Sequence, residues 1–82
     1  MKVTMYTLST CPWCMKTKKW FTDHHVPFDY VDYDLADQPT QARIIREMDA
    51  AGASGFPFVK IGDQVVEGYQ TKKFAKLLGV EA

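Results

Sequence analysis

Val3-Thr4-Met5-Tyr6-Thr7-Leu8-Ser9-Thr10-Cys11-Pro12-Trp13-Cys14 contains the reading on which the rest of the chain turns. The β-branched and aromatic content of Val3 to Leu8 predicts a strand. Pro12 suits the first turn of a helix, where its missing N–H would have no partner in any case. The stretch therefore reads as strand, short loop and helix, with Cys11 at the junction. From Pro12 to His25, Cys14, Thr17 and Phe21 fall on one face at helical spacing with Trp20 beside them, whereas Lys16, Lys19 and Asp23 face elsewhere. Such a helix packs on a sheet.

Downstream, Val26-Pro27 ends the helix, and Phe28 to Tyr33 alternates apolar and acidic residues as a half-buried strand does. Asp37 is placed to cap a second helix with Pro39 in its first turn, and Ala42, Ile45 and Met48 form its apolar stripe up to a break at Gly52. Phe58 to Ile61 and Gln64 to Glu67 read as two antiparallel strands around Gly62-Asp63, a pair suited to a tight hairpin. Thr71 is the expected cap of a last helix that turns Phe74, Leu77 and Leu78 inward and stops at Gly79. The order β-α-β-α-β-β-α defines an α/β fold, expected to form one domain over residues 1–82 because a chain of this size buries too little surface for two.

Composition narrows the function. Hydrophobic residues make up 46% and charged residues 24% of the chain, enough apolar content for a packed core and unlike a disordered segment. Ten Lys and Arg balance ten Asp and Glu, so the broad positive field of a nucleic-acid binder is missing and no nucleic-acid partner is expected. No apolar run approaches the roughly eighteen residues that span a bilayer, and Met1 to Leu8 lacks the features of a signal peptide. The reading is a cytoplasmic protein without a membrane partner.

Cys11 and Cys14 are the only cysteines. Roughly one random placement in fifty would space two cysteines this way, and a disulfide scaffold would carry more at wider intervals, so chance and scaffold are both poor explanations. A thiol reacts as the thiolate, and the first turn of a helix favours that form through unpaired N–H groups and the positive dipole end. Three residues apart, nearly one helical turn, the two sulfurs can bond without rearranging the backbone. Cys11, at the accessible loop–helix junction, is the expected nucleophile, and Cys14, more covered by the helix, the resolving thiol. Lys16, Lys18 and Lys19 add supporting positive charge.

A structural zinc site is disfavoured, because the second pair of ligands is missing and the adjacent His24 and His25 are not spaced as ligands. No metal site is expected. The histidines read as partners of the helix dipole or solvated residues, outside the site. Trp13, between the cysteines, is expected to contact a partner. Pro57 in Phe56-Pro57-Phe58 reads equally well as a strand-edge proline or as a cis peptide that presents the Phe56 backbone to an extended substrate. Asp29, Asp32, Asp34 and Asp37 lack the pattern of a calcium loop and read as a charged edge strand that resists pairing.

Met5-Tyr6-Thr7 leading into Cys11-Pro12-Trp13-Cys14, Val26-Pro27-Phe28 opening the second strand, and Pro57 before a short hairpin together resemble the glutaredoxin family across essentially the whole chain. The resemblance implies a thioredoxin fold with a four-stranded mixed sheet flanked by three helices. It also implies Cys11 as nucleophile, Cys14 as resolving thiol and Pro57 in cis. Thioredoxins proper are less similar, being longer and usually carrying Gly-Pro between the cysteines. The Pro-Trp here is closer to the Pro-Tyr of dithiol glutaredoxins.

Two departures bear on the reductant. Glutaredoxins that use glutathione typically place a lysine three positions before the first cysteine, where this chain has Leu8. They also carry Gly-Gly followed shortly by aspartate near the last helix, where this chain reads Glu67-Gly68-Tyr69-Gln70-Thr71. Each lost bond to a charged group costs about 1.5 to 3 kcal/mol, enough to weaken a tripeptide ligand at least tenfold. Gly68-Tyr69 is similar to the Gly-Phe of redoxins that are reduced by thioredoxin reductase and serve ribonucleotide reductase.

The expected function is thus thiol-disulfide exchange on protein disulfides, with no bound cofactor and with electrons from NADPH through thioredoxin reductase or from glutathione. Trp13, Phe56, Pro57, Gly68 and Tyr69 are the expected substrate contacts, and a monomer is expected. The alternatives are a glutathione-dependent glutaredoxin and, in a different class, an iron-sulfur or metal carrier.

Overall fold

A computed structural model describes residues 1–80. The elements are β1 (Val3–Thr7), α1 (Pro12–Asp23), β2 (Asp29–Asp32), a short 3-10 turn (Tyr33–Leu35), α2 (Gln38–Ala50), β3 (Phe58–Ile61), β4 (Gln64–Glu67) and α3 (Thr71–Leu78). They form a four-stranded mixed sheet in the order β2-β1-β3-β4 with three helices, the expected thioredoxin fold. β1 pairs parallel with β2 and antiparallel with β3. A parallel pair cannot be joined by a tight turn, and α1 supplies the crossover.

Central position explains why β1 is buried on both faces, with Val3, Met5, Tyr6 and Thr7 all inaccessible. On one face Val3, Met5, Val59, Ile61 and Val66 pack against Trp20 and Phe21 of α1 and Phe74 of α3. On the other, Tyr6 and Phe58 pack against Ile44 and Met48 of α2. The alternation of strand side chains thus divides the core into two layers, the α1/α3 layer being richer in aromatic residues.

β3 and β4 turn through Gly62-Asp63, with Ile61 opposite Gln64. Gly62 has φ +61°, the left-handed conformation that glycine adopts without strain at the first turn position. Gly79, at φ +69°, stops α3. Asp37 caps α2 by accepting the Thr40 N–H at 2.9 Å.

Four sequence expectations are adjusted. The buried stripe of α2 is Ile44 and Met48, one turn apart, whereas Ala42 is exposed and Ile45 39% exposed. Met48 fits both patterns, so spacing alone cannot choose the face. In α3, Phe74 and Ala75 are buried and Leu77 and Leu78 are half-buried at the core margin. Gln70, not Thr71, occupies the N-cap, and its side chain donates to the Glu67 carbonyl instead of capping the helix. β2 is shorter and more exposed than Phe28 to Tyr33 suggests, because it is an edge strand whose chain winds into the 3-10 turn at Tyr33.

Candidate active site

Cys11 occupies the N-cap of α1 with extended backbone, and Pro12 follows in the first turn. Its sulfur accepts the Cys14 N–H at 3.2 Å, a role usually filled by a serine or aspartate oxygen. The Cys11 N–H closes a turn on the Leu8 carbonyl at 3.1 Å, and the Met15 N–H reaches the Cys11 carbonyl at 3.1 Å. Both cysteines are free thiols, Cys11 partly exposed and Cys14 buried.

Burial first, and then its hydrogen bond with Cys11, push the Cys14 thiol up to about 12. The Leu8 N–H opposes this by favouring the thiolate; nearby charge on Cys11 raises the value and that on Lys18 lowers it. The two thiols thus differ in access, and Cys14 holds its proton in the reduced protein. Once the Cys11 sulfur is tied up in a mixed disulfide, the two raising influences of Cys11 are removed while Leu8 and Lys18 remain.

Beside Cys11, Trp13, Phe56, Pro57, Gly68 and Tyr69 line one open groove of about 300 Å³. All five residues selected from the sequence as substrate contacts converge there. The Phe56–Pro57 peptide is cis, and the Gly68 N–H donates to the Pro57 carbonyl at 2.8 Å, fixing the end of β4 against it. Gly68 has φ +90°, unfavourable for any side chain, so the approach to Tyr69 depends on glycine. Trp13 is 55% exposed and its ring centroid lies 5.8 Å from that of Tyr69.

The three lysines separate in space. Lys16 Nζ sits 4.5 Å from the Trp13 ring centroid, and Lys19 pairs with Asp23 across the surface at 2.8 Å. Lys18 turns instead to Asp32 at 3.3 Å and lies over the Tyr30 ring at 3.7 Å. The buried Thr7 hydroxyl donates to the same Asp32 oxygen at 2.6 Å. Two residues farther on, in the 3-10 turn, Asp34 accepts the Ser9 N–H at 2.8 Å and the Ser9 hydroxyl as well.

Thr7, Ser9, Asp32 and Asp34 had no place in the sequence-derived site. The parallel register that sets Thr7 opposite Asp32 is the signal that brings them in. Among the described residues, no group of three or more His, Cys, Asp and Glu side chains is placed to hold a metal ion, and no helix is long and apolar enough to cross a membrane.

Comparison with known proteins agrees with this architecture. The glutaredoxin family model matches residues 3–66. A glutaredoxin-like protein NrdH of Lactococcus lactis is 31% identical over 75 residues, covering 92% of this chain and 97% of its own. The crystal structure of a Methanosarcina mazei glutaredoxin superposes with a TM-score of 0.85 at 40% identity, covering 95% of this chain and 78% of that one. The glutaredoxin-like NrdH-redoxin of Escherichia coli superposes with a TM-score of 0.76 at 27% identity, covering 94% and 95% of the respective chains. With the fold, the cysteine pair and these matches in agreement, the chain belongs to the glutaredoxin family and is a thiol-disulfide oxidoreductase of the glutaredoxin and NrdH-redoxin type.

Proposed function

We propose that this protein reduces protein disulfides through a reversible Cys11–Cys14 disulfide and is itself reduced by a thioredoxin reductase at the expense of NADPH. The Cys11 thiolate attacks one sulfur of the substrate disulfide, forming a mixed disulfide and expelling the other sulfur as a thiolate, which takes a proton from water. Cys14 then loses its proton to solvent, and its sulfur attacks Cys11. The intramolecular disulfide forms and the second substrate sulfur leaves. Two electrons pass from the dithiol to the substrate.

The observation that carries this reading is the pairing of a partly exposed Cys11 with a buried Cys14, whose pKa burial raises, at the start of one helix. Such asymmetry separates attack from resolution. The adjoining groove is lined by apolar and aromatic side chains and glycine, suited to an extended polypeptide, and the Phe56 backbone beside cis-Pro57 is available to pair with it.

The choice of reductant rests on what stands at the glutathione positions. Leu8 has no charge to offer, and Gln70 is engaged with the Glu67 carbonyl at 2.6 Å. The Escherichia coli NrdH-redoxin to which this chain is similar has a thioredoxin-like activity profile, which favours the same reading. A ribonucleotide reductase is a candidate substrate, and the protein is proposed to act as a cytoplasmic monomer with no resident cofactor.

The test is an NADPH-coupled assay of disulfide reduction with thioredoxin reductase, set against glutathione plus glutathione reductase. Turnover with thioredoxin reductase alone is expected. Turnover only with glutathione would overturn the choice of reductant and make this a glutathione-dependent glutaredoxin.

A further inference from the structure

Lys16, Lys18 and Lys19 on α1 and Lys72, Lys73 and Lys76 on α3 are matched by a single carboxylate on the same two helices, Asp23. Carboxylates gather elsewhere. Asp29, Asp32, Asp34 and Asp37 run along β2 and the chain leading to α2, and Glu47 and Asp49 belong to α2 itself. Because α1 and α3 pack on one face of the sheet and α2 on the other, a chain of zero net charge folds into a polarised molecule.

The positive side adjoins the groove. Trp13 is the second residue of α1, and Gly68 and Tyr69 directly precede Gln70, the N-cap of α3, so the positive ends of two helix dipoles flank the same hollow. Lys16 Nζ stands 4.5 Å from the Trp13 ring centroid. Lys72 and Lys73 are exposed in the first turn of α3, where the dipole favours carboxylates and the chain places none. Such a placement works against the helix, as residues kept for a site commonly do. Lys18 and Lys19 are offset by Asp32 and Asp23, whereas Lys16, Lys72 and Lys73 are without a carboxylate partner among the described residues. Glu67 is a countercharge on the cis-proline side, its Oε2 lying 3.0 Å from the position a Cβ would take at Gly55.

We infer that the groove selects disulfides carried on acidic segments, the carboxylates of the substrate chain meeting Lys16, Lys72 and Lys73 while its cysteine reaches Cys11. The inference rests on the proposed reduction of protein disulfides and adds the charge of the substrate. The uncharged lining receives backbone and apolar side chains, and the lysines behind it bias which chains arrive. Opposite charge speeds encounter and like charge slows it, so the bias acts before contact as well as after.

Three disulfide-bonded peptides test it, identical except that glutamates, glutamines or lysines flank the cysteines. Mixed with the reduced protein, each has its disulfide reduced as the Cys11–Cys14 disulfide forms, so the same bonds break and form in all three. At low ionic strength the second-order rate constant is expected to be about tenfold larger for the acidic than for the basic peptide, with the glutamine peptide between them, and the gap to close in about 0.5 M salt. Reading a ratio cancels any change in the intrinsic reactivity of the thiols. Lys16→Glu combined with Lys72→Glu is expected to bring the ratio to about one or below. Lys2→Glu with Arg46→Glu makes the same change in net charge ahead of β1 and on α2, and keeps the preference. Equal rates with the acidic and basic wild-type reactions, a preference that survives high salt, or the same loss in both double variants would overturn the inference. A protein that none of the three peptides oxidises would instead overturn the proposed function, and this inference with it.

Discussion

On one flank of Cys11 lies a groove of Trp13, Phe56, Pro57, Gly68 and Tyr69, open to solvent and without a charged side chain in its lining. On the other lies a polar layer in which Thr7, Ser9 and Lys18 each find a carboxylate, Asp32 or Asp34, at hydrogen-bonding distance. The first flank offers area and shape and suits binding of varied polypeptides. The second offers fixed donors and charges, whose value depends on position to within a few tenths of an ångström. The two flanks thus differ in kind: one is an open apolar groove, which fits the proposed substrate contact, and the other a polar layer that ties the end of β1 and Ser9 to Asp32 and Asp34.

If the flanks are separate, damage to them must be separable. Trp13→Ala combined with Tyr69→Ala removes the tilted aromatic pair that lines the groove. The KM for a protein disulfide is expected to rise roughly tenfold or more, as loss of aromatic contact residues commonly produces, while the rate with dithiobis-nitrobenzoate stays within about twofold. Equal losses with both substrates would join the groove to the chemistry and break the comparison.

Acid sharpens it with a smaller effect. Asp34 and Asp37 titrate below the usual carboxylate range because they accept hydrogen bonds from Ser9 and Thr40. Burial pushes Glu47 up, but bonds from Lys60 at 2.7 Å and Tyr6 at 2.9 Å outweigh it and leave Glu47 lowered as well. A depressed folded-state value contributes stability above the unfolded value near 4, and that contribution is lost as pH falls through the folded value. Thermal midpoints should therefore drop below about pH 4. Asp34→Asn with Asp37→Asn flattens that drop, and the groove double variant leaves its slope unchanged. A drop untouched by the two aspartate changes would place the acid sensitivity elsewhere.

Much of this arrangement is local in sequence and therefore legible there. Pro12 after Cys11, Asp37 ahead of Pro39, and Gly62 and Gly79 at positive φ each act within a few residues of their own position. The groove is less local, yet Trp13, Pro57 and Tyr69 can be named from the chemistry around the thiols and from family resemblance. What a single sequence hides is side-chain pairing across strands. Asp32 and Asp34 read as charges guarding an edge strand, and Asp32 does end the edge strand β2, whereas Asp34 lies in the 3-10 turn beyond it. Only the parallel register of β1 with β2 shows that the same carboxylates reach Thr7 and Ser9. The choice between Ile44 and Ile45 fails for a related reason, since the direction of the core from α2 is set by Tyr6 and Phe58, distant in sequence.

The most direct test of the central claim is intact-mass analysis of Cys14→Ser and Cys11→Ser variants after exposure to a protein disulfide. The account predicts that Cys14→Ser accumulates a covalent one-to-one adduct with the substrate, dissolved by dithiothreitol, and that Cys11→Ser forms none and transfers no electrons. An adduct on the Cys11→Ser protein, or full turnover by it, would contradict the account.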